Sequence, residues 1–218
     1  MEDLTRQRKE KSIWEKMAAS YDNNVLANFE EAYRNSIEKS IQAVSREDRV
    51  LEIGCGTGLI TLGVAPHVRQ IEAVDITPQM ITIAQRKAAQ QGVKNVQFQV
   101  YDGYALPYED ASFDAVLLFN ILHIVKEPHT LLREARRLLK PGGSLITATD
   151  CYAEPVPFHI RVRLSLQRAL HWLGVIPFVR YYRKAQLHSL FEQNGFQIRQ
   201  TAALQTIPRN EYVLASKV

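Results

Sequence analysis

Gly54, Gly56 and Gly58 stand at alternate positions in the stretch LEIGCGTG, directly after a short apolar run. Glycine reaches backbone angles that other residues resist, and it lets a ligand come close to the main chain. A helix beginning near Leu59 would aim unpaired N–H groups at the same space. Together these features read as a cradle for a nucleotide-like molecule. The spacing narrows the choice. A dinucleotide fingerprint needs G-x-G-x-x-G and a phosphate loop needs G-K-[ST], and neither is present. Two acids extend the pattern. Asp75 follows Gly54 by 21 residues, where a carboxylate can take both hydroxyls of a ribose. Asp102 ends a third strand-like segment and could accept from an exocyclic adenine amine.

Each of these residues falls at the end of a segment that reads as a strand. RVLEIG (49–54) is a short apolar run, IEAVDI (71–76), VQFQVYD (96–102) and SLITATD (144–150) read as strands, and FDAVLLFN (113–120) reads as a strand apolar on both faces. Helical stretches separate them: LITLGVAPHV, then PQMITIAQRKAAQQG, begun by Pro78 and stopped by Gly92, then PHTLLREARRLLKPGG, ended by Pro141 and its glycines. Strands apolar on both faces and alternating with helices predict an α/β fold with a mostly parallel sheet covered on both sides. Residues 4–44 read as helical, broken at Asp22–Asn24. FQIRQTAALQT and EYVLASKV read as a closing antiparallel hairpin. In a parallel sheet of this kind, ligands sit beyond the C-terminal strand ends.

Composition agrees with a globular chain. Of 218 residues, 46% are hydrophobic and 23% charged, which suffices for a sizeable core. Two cysteines, Cys55 and Cys151, make neither a disulfide framework nor a zinc site, and no metal centre is expected. No apolar run approaches the length of a membrane span, and the start of the chain is charged throughout, so a cytoplasmic protein is expected.

The stretches VLEIGCGTG, VDITPQM, YDGYALPYEDASFDAVLLFNILHIVKEP and LLREARRLLKPGGSLI occur in the order and spacing of the class I S-adenosylmethionine-dependent methyltransferases. The chain most resembles the small-molecule branch that includes the ubiquinone and menaquinone biosynthesis enzymes. The resemblance is good over residues 14–150 and looser over 183–218. It implies a Rossmann-like sheet of seven strands with an antiparallel terminal strand. It also implies a single domain over 1–218, with a helical cover over 1–45. The implied cofactor is S-adenosyl-L-methionine. By the resemblance, Gly54, Gly56 and Gly58 would cradle its methionine part, with Glu52 as the acid beside that loop. Asp75 would hold the ribose diol, and Asp102 with the N–H of Gly103 would read the adenine. The Asn120 backbone would face the amino-acid end. WEKMAASYD is similar to the family's N-terminal segment, whose tyrosine, here Tyr21, closes over the cofactor.

Methyl transfer from a sulfonium is a displacement with an activated leaving group, so alignment and exclusion of water matter most. A base is required only where the acceptor must lose a proton. His123, three residues past Asn120, is the candidate. The expected acceptor is a small, apolar molecule. Residues 151–182 depart from the quinone enzymes' pattern and form an insertion where Trp172, Leu173, Val175, Ile176, Phe178, Tyr181 and Tyr182 alternate with arginines. The insertion reads as a lid, an interfacial helix at a membrane surface, or a dimer contact. Residues 151–218 hold nine Arg and Lys against three Glu. No RNA-binding module accompanies that charge, which argues against nucleic acid. A cofactor-binding but inactive partner subunit is the alternative to an enzyme.

Overall fold

The computed structural model describes residues 11–172 and 178–218. Helix α1 covers 11–18 and α2 Tyr21–Ala43, followed by β1 (Arg49–Ile53), α3 (Leu59–Val64), β2 (Gln70–Asp75) and α4 (Pro78–Gln91). Then come β3 (Val96–Val100), β4 (Phe113–Phe119), α5 (Pro128–Leu138) and β5 (Leu139–Cys151). Helices α6 (Phe158–Trp172) and α7 (Lys184–Gln193) precede β6 (Phe196–Thr206) and β7 (Arg209–Lys217).

The seven strands form one sheet in the order β3-β2-β1-β4-β5-β7-β6. β1 through β5 pair in parallel, and β7 runs antiparallel to both of its neighbours. Side chains of the central strands alternate between two cores. Leu51, Val116, Leu118 and Leu145 pack with α5 and α7, whereas Val50, Leu117 and Ile146 pack with α3 and α4. Helices therefore cover both faces, as the doubly apolar strands require. Strand order reverses between β1 and β4, and this crevice is where an open α/β sheet takes a ligand. The C-terminal ends of β1, β2, β4 and β5 bring Gly54, Asp75, Asn120 and Asp150 to the same edge of the sheet.

Two local expectations are corrected. The N-terminal helices part at residues 19–20 and α2 itself kinks at Phe29 (φ −139°), whereas Asp22–Asn24 form the first turn of α2. Ser20 makes this favourable, because its carbonyl accepts the Asn24 N–H at 3.0 Å and its hydroxyl accepts from Asn24 Nδ2 at 3.2 Å. An acid in a first turn also suits the helix dipole. The second correction concerns KPGG. Helix α5 stops at Leu138, but Lys140–Gly143 belong to β5, whose register against β4 shifts between Phe113 and Ala115. The side chain of Trp172, together with Leu173, Val175 and Ile176, lies outside the described residues.

Candidate active site

A cavity of about 380 Å³ opens at the C-terminal edge of the sheet. Its floor is the glycine turn after β1. Gly54 and Cys55 both donate their N–H to the Val74 carbonyl, at 2.8 and 3.0 Å, which pins the turn to the end of β2. Gly54, Gly56 and Gly58 all have positive φ. At Gly56 an added Cβ would meet only the Tyr21 ring at 3.9 Å, so the main chain is bare toward the cavity. Gly58 instead packs on Ala84 and Phe98 at the start of α3 and does not reach the cavity lining.

Asp75 stands beside this turn. Its Oδ2 accepts the Gly56 N–H at 2.9 Å and its Oδ1 accepts the Thr77 N–H at 2.8 Å. Burial pushes its carboxyl above the usual range, and the two N–H bonds only partly offset that. Each oxygen keeps acceptor capacity for a further donor. Tyr21 roofs the turn, its hydroxyl 3.2 Å from that of Tyr33. Burial, followed by the Tyr33 hydroxyl, drives the Tyr21 phenol well above its ordinary value. The neighbouring Asp22 carboxylate accepts from the Thr57 hydroxyl and, at 2.7 Å, from Lys87, so the roof is fastened both to the glycine turn and to α4.

Asp102 lines the cavity, and its Oδ1 accepts the Tyr104 N–H at 3.1 Å. Gly103 lies behind the wall. With φ at 82° and an added Cβ only 2.5 Å from Ile53 Cγ2, the position admits glycine alone. Glu52 also lies behind the wall. It is buried, and its Oε2 accepts from the Thr61 hydroxyl at 2.5 Å, which ties β1 to α3. Burial pushes its carboxyl up to about 8 despite that bond. The folded chain thus holds a proton that the unfolded chain releases near 4.5. Stability from this group is complete below about pH 4.5 and is lost as pH rises through about 8. Glu52→Gln should flatten this part of the curve of melting temperature against pH. An unchanged slope between those limits would place the proton elsewhere.

The far end of the cavity is polar. Asn120 follows β4 in a left-handed conformation, φ 53°, and donates its N–H to the Ala148 carbonyl at 2.8 Å. Its Oδ1 accepts from Asn210 Nδ2 at 2.9 Å, and the same Nδ2 donates to Asp150 Oδ1 at 2.7 Å. Tyr152 donates its hydroxyl to Asp150 Oδ2 at 2.7 Å, and His123 Nε2 lies 3.8 Å from that oxygen. His123 is only 6% exposed. Burial lowers its pKa from 6.5 and outweighs the opposing pull of Asp150, so the ring is neutral at pH 7. Between the two ends the walls are apolar, with Val25, Phe29, Ile121 and Ile124 among them.

Of the residues singled out by sequence, Tyr21, Gly54, Gly56, Asp75, Asp102, Asn120 and His123 meet around one cavity, whereas Glu52, Gly58 and Gly103 support it from behind. Sequence reading missed Tyr33, Asp150, Tyr152 and Asn210. Asp150 carried a usable signal, since it ends a strand just as Asp75 does. Asn210 carried none, because only the β5–β7 register sets it opposite Asp150. Among the described residues, no group of three or more His, Cys, Asp or Glu could hold a metal ion. None of the described helices is long and apolar enough to cross a membrane.

The family described as "Methyltransferase domain" matches residues 51–147. The chain is 29% identical over 201 residues to the demethylmenaquinone methyltransferase of Tropheryma whipplei (strain Twist), covering 86% of this chain and 83% of that one. It is 30% identical over 173 residues to the ubiquinone biosynthesis O-methyltransferase of Xanthomonas axonopodis pv. citri (strain 306), covering 78% and 71%. The crystal structure of the YcgJ protein from Bacillus subtilis shares the fold, with a TM-score of 0.67 at 21% identity over 84% of this chain and 98% of that one. The sheet order, a cavity at the strand ends and relatives matched along most of their length lead to one conclusion: the chain belongs to the S-adenosylmethionine-dependent methyltransferases.

Proposed function

We propose that the chain methylates a hydroxyl group on a small, apolar, quinone-type acceptor by direct displacement, with His123 as the base. The cofactor fits the glycine end: the main chain is bare at Gly56, Asp75 has acceptor capacity left for a ribose diol, and Tyr21 supplies a roof. Asp102 would take the adenine edge, with Gly103 shaping the turn behind it, and Asn120 would face the amino-acid end. When bound, the cofactor supplies a methyl group on a sulfonium that needs no further activation.

The observation that carries the reading is the pairing of a neutral, buried His123 with Asp150 at the opposite end of the same cavity. The ring takes the acceptor's hydroxyl proton at Nε2, the atom facing Asp150. The carboxylate then stabilises the imidazolium. Asn210 and Tyr152 hold that carboxylate in place from two sides. The apolar walls exclude water and suit an acceptor with a hydrocarbon body. The quinone class draws support from the named activities of the two relatives above, one of which is an O-methyltransferase.

The test is incubation with methyl-labelled cofactor and a panel of catechol- and hydroquinone-type acceptors bearing apolar side chains, read by mass spectrometry. The expected product is a single methyl ether. Methylation at carbon would remove the role given to His123. Cofactor binding with no transfer to any acceptor would favour the inactive partner subunit.

A further inference from the structure

Helix α6 has two opposed faces. On one, Leu164 is buried, its carbonyl accepts from the Tyr181 hydroxyl at 3.4 Å, and Arg168 lies over the Tyr181 ring at 4.0 Å. This side holds the helix to the body of the protein. The opposite side carries Phe158, Val162 and Leu166, which are 71%, 53% and 61% exposed. At about 100° per residue these three lie within an arc of roughly 80°, and Leu164 points about 160° away from its centre. Arg161 and Arg163, both exposed, fall about 100° to either side of that stripe. The Arg161 guanidinium lies 5.2 Å from the Phe158 ring centre. Water leaves such a stripe unsatisfied, and contiguous exposed apolar side chains mark a docking surface.

We infer that this face of α6 docks on the surface of an anionic lipid bilayer, with Phe158, Val162 and Leu166 at the acyl boundary and Arg161 and Arg163 on lipid phosphates. The charge pattern selects this occupant. Phe158–Trp172 contains no Asp or Glu, so a two-fold contact with a second copy would set arginines near their own equivalents. Three apolar side chains on one helix also fall well short of the area of a stable dimer. An apolar stripe with cationic flanks is instead the pattern of a helix lying in the plane of an anionic membrane surface. The position gives the contact a use. The ring of Tyr181, which fastens α6, is tilted against that of Tyr152 with centres 5.8 Å apart, and Tyr152 lines the cavity with its ring centre 5.7 Å from that of His123. The docking face is thus one layer of aromatic rings from the acceptor end, although the contact itself does not depend on the acceptor being quinone-type.

Flotation with phosphatidylcholine vesicles, with and without phosphatidylglycerol, tests the inference. The protein should float with the anionic vesicles only, and less so as salt is raised. The triple variant Phe158→Ser, Val162→Ser, Leu166→Ser should stay in solution. Arg161→Gln with Arg163→Gln should weaken partitioning by about fivefold per arginine. All five side chains are exposed, so melting temperature and S-adenosylhomocysteine affinity by calorimetry should not change. No flotation with anionic vesicles, or equal flotation of both variants, would overturn the inference. A dimer in sedimentation velocity that the triple variant dissociates would make a second copy the occupant and would equally overturn it.

Discussion

Asp75→Ala should cut affinity for S-adenosylhomocysteine by roughly a hundredfold or more, the loss of two hydrogen bonds from hydroxyls to a charged acceptor at about 1.5–3 kcal/mol each. Part of the loss comes from the protein itself, because the same carboxylate holds the Gly56 and Thr77 N–H groups and so shapes the glycine turn. Asp114→Ala is the matched control. Asp114 lies at the opposite end of the sheet, where it accepts from the Arg49 N–H at 2.9 Å and from Lys140 at 2.5 Å. Its loss should cost about 1–3 kcal/mol of stability and leave affinity unchanged. Calorimetry and thermal melts on both variants decide the matter. Wild-type affinity in Asp75→Ala would remove Asp75 from the cofactor site.

Removing the imidazole should act on the other end of the cavity. His123→Ala is expected to lower kcat by about 10²–10⁴-fold, the usual yield of a positioned base, while cofactor affinity stays within about twofold. The pH dependence is more diagnostic. A base works when unprotonated, so kcat/KM should rise with pH through the pKa of His123, which lies below 6.5. Asp150 raises that pKa. In Asp150→Asn the acidic limb should therefore move to still lower pH, and kcat should fall because the imidazolium has lost its counter-charge. An acidic limb that persists unmoved in His123→Ala would show that another group titrates.

Much of this was readable in the sequence because the signals are local. The central strands β1 and β4 announce themselves by mostly apolar runs, and several cavity residues sit within a residue or two of a strand end. Asp75 ends β2, and Asn120 follows β4 directly. Gly92 ends α4 in a left-handed conformation, as its place in the pattern suggested. The acceptor end was less legible because pairing across long separations builds it. Asn120, Asp150 and Asn210 share one amide group, yet Asn210 is 60 residues from Asp150 and 90 from Asn120. Tyr33 lies inside the stretch that reads as helical, and the packing of α2 over the strand ends turns it toward Tyr21. The shift at Asp22–Asn24 is local instead. A polar triplet breaks a helix or begins one, and Ser20 decides which.

The place of β7 between β5 and β6 sets an order of events during synthesis. β6 precedes β7 in the chain, and β7 is the strand it pairs with, so β6 stays unpaired until Arg209–Lys217 follows it. Until then β5 presents an open edge, and the apolar face of β6 has no partner. Such edges invite pairing with other chains. Asn210 arrives with the same strand, so the nascent chain can close its glycine turn well before it can set Asp150 in position. The glycine end and the polar end of the cavity are therefore completed at different moments.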